Sequence, residues 1–274
     1  MKMLDIRGVK VPALGFGTWR LSGPACRSMV RHALEIGYRH IDTASIYGNE
    51  DEVGQGIAES GVPRGEVFLA TKVWTNRLAV DSVQRAAADS LDRLKAGYID
   101  LLLIHWPNRA VPLADTLAGM RRLQEGGLVR HIGVSNFPVA LMKEAVETQG
   151  IPILANQVEY HPYLSQNRVL AYCRQAGIAL TAYCPLAEGR VAGDPVLRGI
   201  GAKYGRTAAQ VALRWLIEQD GVSAIPMTAD PDHCRDNLAV FDFALSPEDQ
   251  AAIGALACNR RLLDMATGYA WDAD

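Results

Sequence analysis

Asp42 and Tyr47, five residues apart in "YRHIDTASIYGNE", stand at the end of an apolar run with only small or turn-compatible residues between them. A phenol with its ordinary pKa of about 10 is a slow acid or base at neutral pH. Two more residues change that chemistry: Lys72 in "ATKVW" and His105 in "LIHWP" also close apolar runs. An ammonium beside a phenol stabilises the phenolate and is expected to lower the phenol's pKa. A carboxylate keeps the lysine charged and aimed, and a neutral imidazole offers a second hydrogen bond to an oxygen gaining negative charge. Asp42, Tyr47, Lys72 and His105 therefore read as a proton-delivery set, with Tyr47 as the acid. The set holds no nucleophile and no reducing equivalents. It suits carbonyl reduction by hydride from a nicotinamide, where the protein orients two reactants and stabilises an alkoxide. Taken singly, Lys72 with Asp42 is better read as a buried ion pair and His105 as a core histidine. The functional reading rests on all four falling together.

The elements that must position them are eight short, near-continuously apolar runs, the first in "VPALGFGTW" and the last in "VSAIPMT". Strands covered on both faces of a parallel sheet show this pattern. Helical segments alternate with them, and several carry start signals: Asp81 with Gln84, Thr207 with Gln210, and Ser246 followed by Pro247 and two acids. Strict alternation without a linker predicts one domain over residues 1–274, an α/β fold of the (β/α)8 TIM-barrel type. A doubly wound open sheet is the rival. "MLDIRGVKVPAL" predicts a short N-terminal β-hairpin turning at Arg7 and Gly8. In a barrel, catalytic side chains lie at the C-terminal strand ends, where Asp42, Lys72 and His105 fall.

The net charge of −2 offers no broad attraction for nucleic acid or anionic lipid. No apolar stretch reaches membrane-spanning length, and charges interrupt the start of the chain. Five scattered cysteines without a CxxC pair fit free thiols in the cytoplasm better than disulfides or zinc. The expected partner is a small aldehyde or ketone, with no nucleic acid, membrane or metal, and the expected state is a monomer. A Rossmann dehydrogenase lacks its third glycine in "GFGTWRLSG". A metal-dependent hydrolase would need clustered ligands, and the six histidines are dispersed. His32 and His131 read as solvated or helix-end residues, and His161 as a loop contact.

The segments "GFGTW", "GYRHIDTASIYGNE", "ATKVW", "DLLLIHWP", "IGVSNF", "NQVEYHPY", "TAYCPLA", "AAQVALRWL" and "VFDFALSPED" span essentially the whole chain. Together they resemble the aldo-keto reductases, most of all the bacterial branch that includes 2,5-diketo-D-gluconate reductases. The resemblance implies Tyr47 as general acid/base with Asp42, Lys72 and His105 as partners. It implies Ser135, Asn136 and Gln157 holding a nicotinamide carboxamide, Tyr183 stacking on the ring, and Thr18, Trp19 and Asp42 at the same end. "CPLAEGR" would pass over the pyrophosphate with Leu186 in contact, and Cys184 stands where the family usually has serine, as an ordinary small buried residue. Thr228, Asp236 and Asn237 match adenosine contacts. Trp19, Tyr47, Trp74, His105, Trp106 and Trp271 would wall the substrate pocket.

The sequence departs from the family in "IPMTADPDHCRDN": Met227 and His233 stand where relatives using NADP carry a lysine and an arginine. Arg235 is placed to compensate. Family habit favours NADP(H), and the two replacements leave NAD(H) open. The alternative to an enzyme is a cofactor-binding sensor or channel-associated subunit with negligible turnover.

Overall fold

The computed structural model describes residues 2–272. Two antiparallel strands, β1 (Met3–Ile6) and β2 (Val9–Pro12), form the expected hairpin with Ile6 opposite Val9. Arg7 and Gly8 both take positive φ, as a two-residue turn matched to strand twist requires. The Arg7 guanidinium donates to the carbonyls of Ile153 and Ala176. Both carbonyls lie just before barrel strands, so the hairpin covers the floor and leaves the opposite end open.

Eight parallel strands follow: β3 (Phe16–Gly17), β4 (His40–Asp42), β5 (Phe68–Val73), β6 (Ile99–Ile104), β7 (Val129–Ser135), β8 (Ala155–Glu159), β9 (Ala179–Tyr183) and β10 (Val222–Ala224). Each pairs with its sequence neighbour. The sheet closes where Leu14 bridges Ala224 and the Gly15 amide donates to the Ala224 carbonyl at 2.8 Å. "GFG" is the seam: a Cβ at Gly15 would meet the His40 ring at 2.7 Å, and one at Gly17 the Ile225 carbonyl at 2.8 Å. Only glycine permits that approach. This is a (β/α)8 barrel, not the rival open sheet.

The helices are α1 (Gly23–Glu35), α2 (Glu50–Glu59), α3 (Val80–Leu94), α4 (Leu113–Glu125), α5 (Val139–Lys143), α6 (Asn167–Ala176), α7 (Pro195–Tyr204), α8 (Ala208–Glu218), α9 (Pro231–Leu238) and α10 (Pro247–Gly254). Thr207 and Gln210 form the expected reciprocal cap of α8, and Ser246 caps α10. The expected start at Asp81 falls inside α3. Its first residue is Val80, Ala79 gives no side-chain cap, and Gln84 turns back to the Val80 carbonyl. His131 lies within β7, half-buried, not at a helix end. Among the described residues no helix is long and apolar enough to cross a membrane.

Candidate active site

The loop leaving β4 is fastened before any ligand is considered. Asn49 donates from one amide to the carbonyls of Thr18 and Leu21, both at 2.9 Å, and accepts from the Thr43 hydroxyl. Ser45 donates to the Lys72 carbonyl. Gly48 at φ 66° takes the left-handed turn that returns the chain into α2. The result is a single tight turn, Ser45–Tyr47, that holds the Tyr47 ring over the barrel mouth.

Beneath it the fully buried Lys72 ammonium spends its three protons on three oxygens. It reaches Asp42 Oδ1 at 2.5 Å, the Thr43 carbonyl at 2.7 Å and Tyr47 Oη at 3.5 Å, the last at the limit of hydrogen bonding. Asp42 Oδ2 accepts from the Gln157 amide at 2.7 Å. With the phenol oxygen facing Lys72, its own proton is free to point into the cleft. The His105 ring meets Tyr47 and Trp74 edge-on, with centroids 5.7 and 5.1 Å away. All four residues of the proposed set are brought together.

The sequence expectation about the phenol is corrected in direction. Burial, then the charge of Asp42 and the nearby Tyr183 and Cys184, hold the Tyr47 hydroxyl well above its ordinary pKa. Lys72 cannot reverse this, because its charge is largely answered by Asp42 and burial lowers its own pKa. Burial and Lys72 push His105 well below its usual value, so its imidazole is neutral. The resting site presents a protonated phenol and an uncharged imidazole.

Above this set runs a cleft of about 1180 Å3. Trp19, Trp74, His105 and Trp106 line it, as do Met227, Thr228, His233, Asp236 and Asn237 from the loop and helix after β10. Asn136, Gln157, Tyr183 and Leu186 also line it. The Tyr183 hydroxyl donates to Asn136 Oδ1 at 2.8 Å, which fixes the ring's tilt. Thr18, Ser135 and Trp271, all expected at the wall, do not line it. Buried Thr18 donates to the Asp42 carbonyl and buried Ser135 to the Gln157 carbonyl, so both brace residues of the site from behind. Cys184, expected to be buried, is half-exposed on the wall, with its thiol pushed up to about 12 by burial. Trp271 packs edge-on against Trp106 at 6.0 Å rather than lining the cavity itself.

Arg235, expected to be placed to compensate for Met227 and His233, pairs with Asp232 on its own helix and contacts His32 on α1. His161 is the loop contact expected, buried against Glu159 at 2.9 Å. Sequence reasoning missed the ion pair of Arg20 with Glu188, 2.8 Å long between two cleft-lining loops. It also missed Leu263, Asp264 and Met265 on the cleft wall. Neither leaves a local pattern in the chain.

Residues 13–257 match the model of the Aldo/keto reductase family. The chain is 43% identical over 256 residues to the methylglyoxal reductase DkgB of Escherichia coli O157:H7, covering 92% of this chain and 96% of that one. A crystal structure of a protein provisionally described as a 2,5-diketo-D-gluconic acid reductase B superposes with a TM-score of 0.97 at 45% identity, covering 100% and 98% of the two chains. An aldo-keto reductase from Bombyx mori, in complex with NADP, gives 0.90 at 35% identity, covering 97% and 95%.

Proposed function

The chain belongs to the aldo/keto reductase family, and from that premise we propose that Tyr47 delivers the proton in the carbonyl reduction it carries out. It is an NAD(P)H-dependent reductase of aldehydes or ketones; the sensor alternative finds no support among relatives named as reductases. The observation that carries the proton-donor reading is the chain of contacts from Gln157 through Asp42 and Lys72 to Tyr47.

The cleft suits a dinucleotide. Its volume exceeds the roughly 300–1,000 Å3 of ordinary small-ligand pockets. Its lining includes the fixed amides of Asn136 and Gln157 and the hydrogen-bonding side chains of Thr228, Asp236 and Asn237. Asn136 and Gln157 would hold the carboxamide, braced by Ser135, and Tyr183 would lie against the ring, with Trp19 nearby. A reduced nicotinamide bound there supplies the hydride. The protein's own part is acid catalysis and orientation. The substrate oxygen sits between the Tyr47 hydroxyl and the neutral His105 imidazole, where both donate as charge develops. Tyr47 gives up its proton as the alkoxide forms, and the third N–H of Lys72 stabilises the phenolate left behind. Before the transfer Asp42 balances the lysine, and the phenolate left afterwards adds one net negative charge, which the third Lys72 N–H holds.

NADP(H) stays ahead by family habit, but Met227 and the exposed His233, beside Asp230 and Asp232, offer little to a second phosphate. Both cofactors are therefore assigned. The substrate is a small aldehyde, ketone or sugar-derived carbonyl compound held against Trp19, Trp74 and Trp106, with Trp271 behind Trp106. We read the chain as one monomeric barrel unit working in the cytoplasm. The scattered positions of the exposed large apolar residues Met3, Ile46, Leu128, Val196 and Met265, and five free thiols, support this. A panel of such carbonyl compounds, run with NADPH and with NADH, tests the reading. Turnover with either cofactor upholds it, and no consumption of either overturns it.

A further inference from the structure

Glu159, the last residue of β8, is a carboxylate with no part in proton delivery and with its side chain wholly shielded from solvent. A buried carboxylate is costly unless donors surround it. Its Oε1 accepts from the Leu262 amide at 2.7 Å and from His161 at 2.9 Å, and its Oε2 from the Leu263 amide at 2.8 Å. Two of the three donors are backbone groups of the C-terminal segment, whose described residues after α10 form no helix or strand. The burial of this charge and the placement of that segment are thus one event.

What the segment carries gives the clamp a purpose. Leu263, Asp264 and Met265, immediately after the clamped amides, line the cleft. Asp264 accepts from the Trp271 indole at 3.1 Å, and Trp271 lies against Trp106. The Arg261 guanidinium stacks 3.7 Å over the Trp271 ring. These contacts tie the segment to the tryptophan end of the cleft. On the far side Asp272 accepts from the Val139 amide that opens α5, so the segment is pinned on either side of its cleft-lining residues.

We infer that Glu159 is a positioning residue for the carbonyl substrate, clamping the amides of Leu262 and Leu263 so that residues 263–265 form a fixed wall of the substrate end. This rests on the reading that the tryptophan end takes the carbonyl compound. A Glu159→Gln side chain keeps the shape but turns an NH2 toward donors. Amide exchange at 262 and 263 should accelerate about tenfold or more. The KM for a bulky carbonyl compound should rise about tenfold, with kcat and the NADPH Kd, read by fluorescence, within about twofold of the parent. A KM within about twofold of the parent, unaltered exchange, or a cofactor Kd that rises in step with KM each overturn the inference. Should Glu159→Gln fail to fold, Leu262→Pro deletes a donor from the segment's side and leaves the barrel untouched. It is expected to raise KM in the same sense, and an unchanged KM overturns the inference equally. A chain that reduces no carbonyl compound would instead sink the proposed function, and the exchange measurement would still decide whether Glu159 holds the segment.

Discussion

At the Tyr47 end of the cleft, the loop, Asp42 and Lys72 are each placed by partners outside the reaction. Asn49 pins the loop, Thr18 and Gln157 brace Asp42, and Lys72 has two fixed oxygens besides the phenol. At the Met227 end, Thr228 bonds only within its own turn and His233 is mostly exposed. Arg235 is drawn off by Asp232 and His32. The contrast follows from what each end must do. A proton donor misplaced by an ångström forfeits much of its rate, whereas a remote phosphate or ribose contributes binding that several weak contacts can share. Precision is concentrated where charge moves.

The sharpest way to break this contrast is at the acid itself. Tyr47→Phe removes one hydroxyl and should lower kcat by about 10²–10⁴, with the cofactor Kd unchanged. Stopped-flow reduction and fluorescence titration measure the two separately. Because the phenol sits above its ordinary pKa of 10.0, the donor stays protonated across the neutral range. The parent's reduction rate should then show no loss assignable to Tyr47 as pH rises from 6 to about 9. Asp42→Ala strikes the same end through stability. It strands a buried ammonium, and such losses run to about 3–5 kcal/mol, readable in urea unfolding. A loss below about 1 kcal/mol would mean that Lys72 finds another anion.

The proton-delivery set was legible because strand-end position survives in sequence: an apolar run followed by one polar residue marks a barrel mouth. The direction of the Tyr47 shift was not, since it depends on burial and on Asp42 neutralising Lys72 before the phenol feels it. Thr18 and Ser135 were placed by motif, but their hydroxyls turn to the Asp42 and Gln157 carbonyls, because a motif gives neighbourhood and not the way a hydroxyl turns. Glu159, at a strand end, and the Arg20 pair each reach irregular backbone far away in sequence, which leaves no periodicity to read. Capping by Thr207 and Ser246 was legible for the opposite reason, being entirely local.

The floor of the precise end carries a cost that pH exposes. His40 lies inside the barrel near Asp42 and Lys72, and burial depresses its pKa from 6.5 to about 4. A depressed histidine leaves stability intact above the unfolded value and withdraws it as pH falls from the unfolded value to the folded one. Between pH 6.5 and 4 this group alone should remove about 3 kcal/mol. His40→Leu should flatten that stretch of the stability profile. At the permissive end, Met227→Lys adds a cation where little opposes one. NADPH affinity should rise about tenfold relative to NADH, consistent with about 1.5 kcal/mol for a charge-assisted contact. Titration of each cofactor checks it, and an unchanged ratio would place the second phosphate elsewhere.

The smallest expected effect is the most pointed test of the contrast. Gly48 takes φ 66°, and a Cβ there would meet no atom within 4 Å. Gly48→Ala therefore costs only conformational strain, about 1 kcal/mol, or about 2 °C in Tm for a chain of this size. If the loop is held by Asn49 and Ser45 as the hydrogen bonds indicate, that strain is paid in stability while Tyr47 stays where it is. The kcat should then remain within about twofold of the parent. A tenfold fall in kcat at the same small loss of Tm would mean that the glycine, and not the surrounding amides and hydroxyls, sets the position of the phenol.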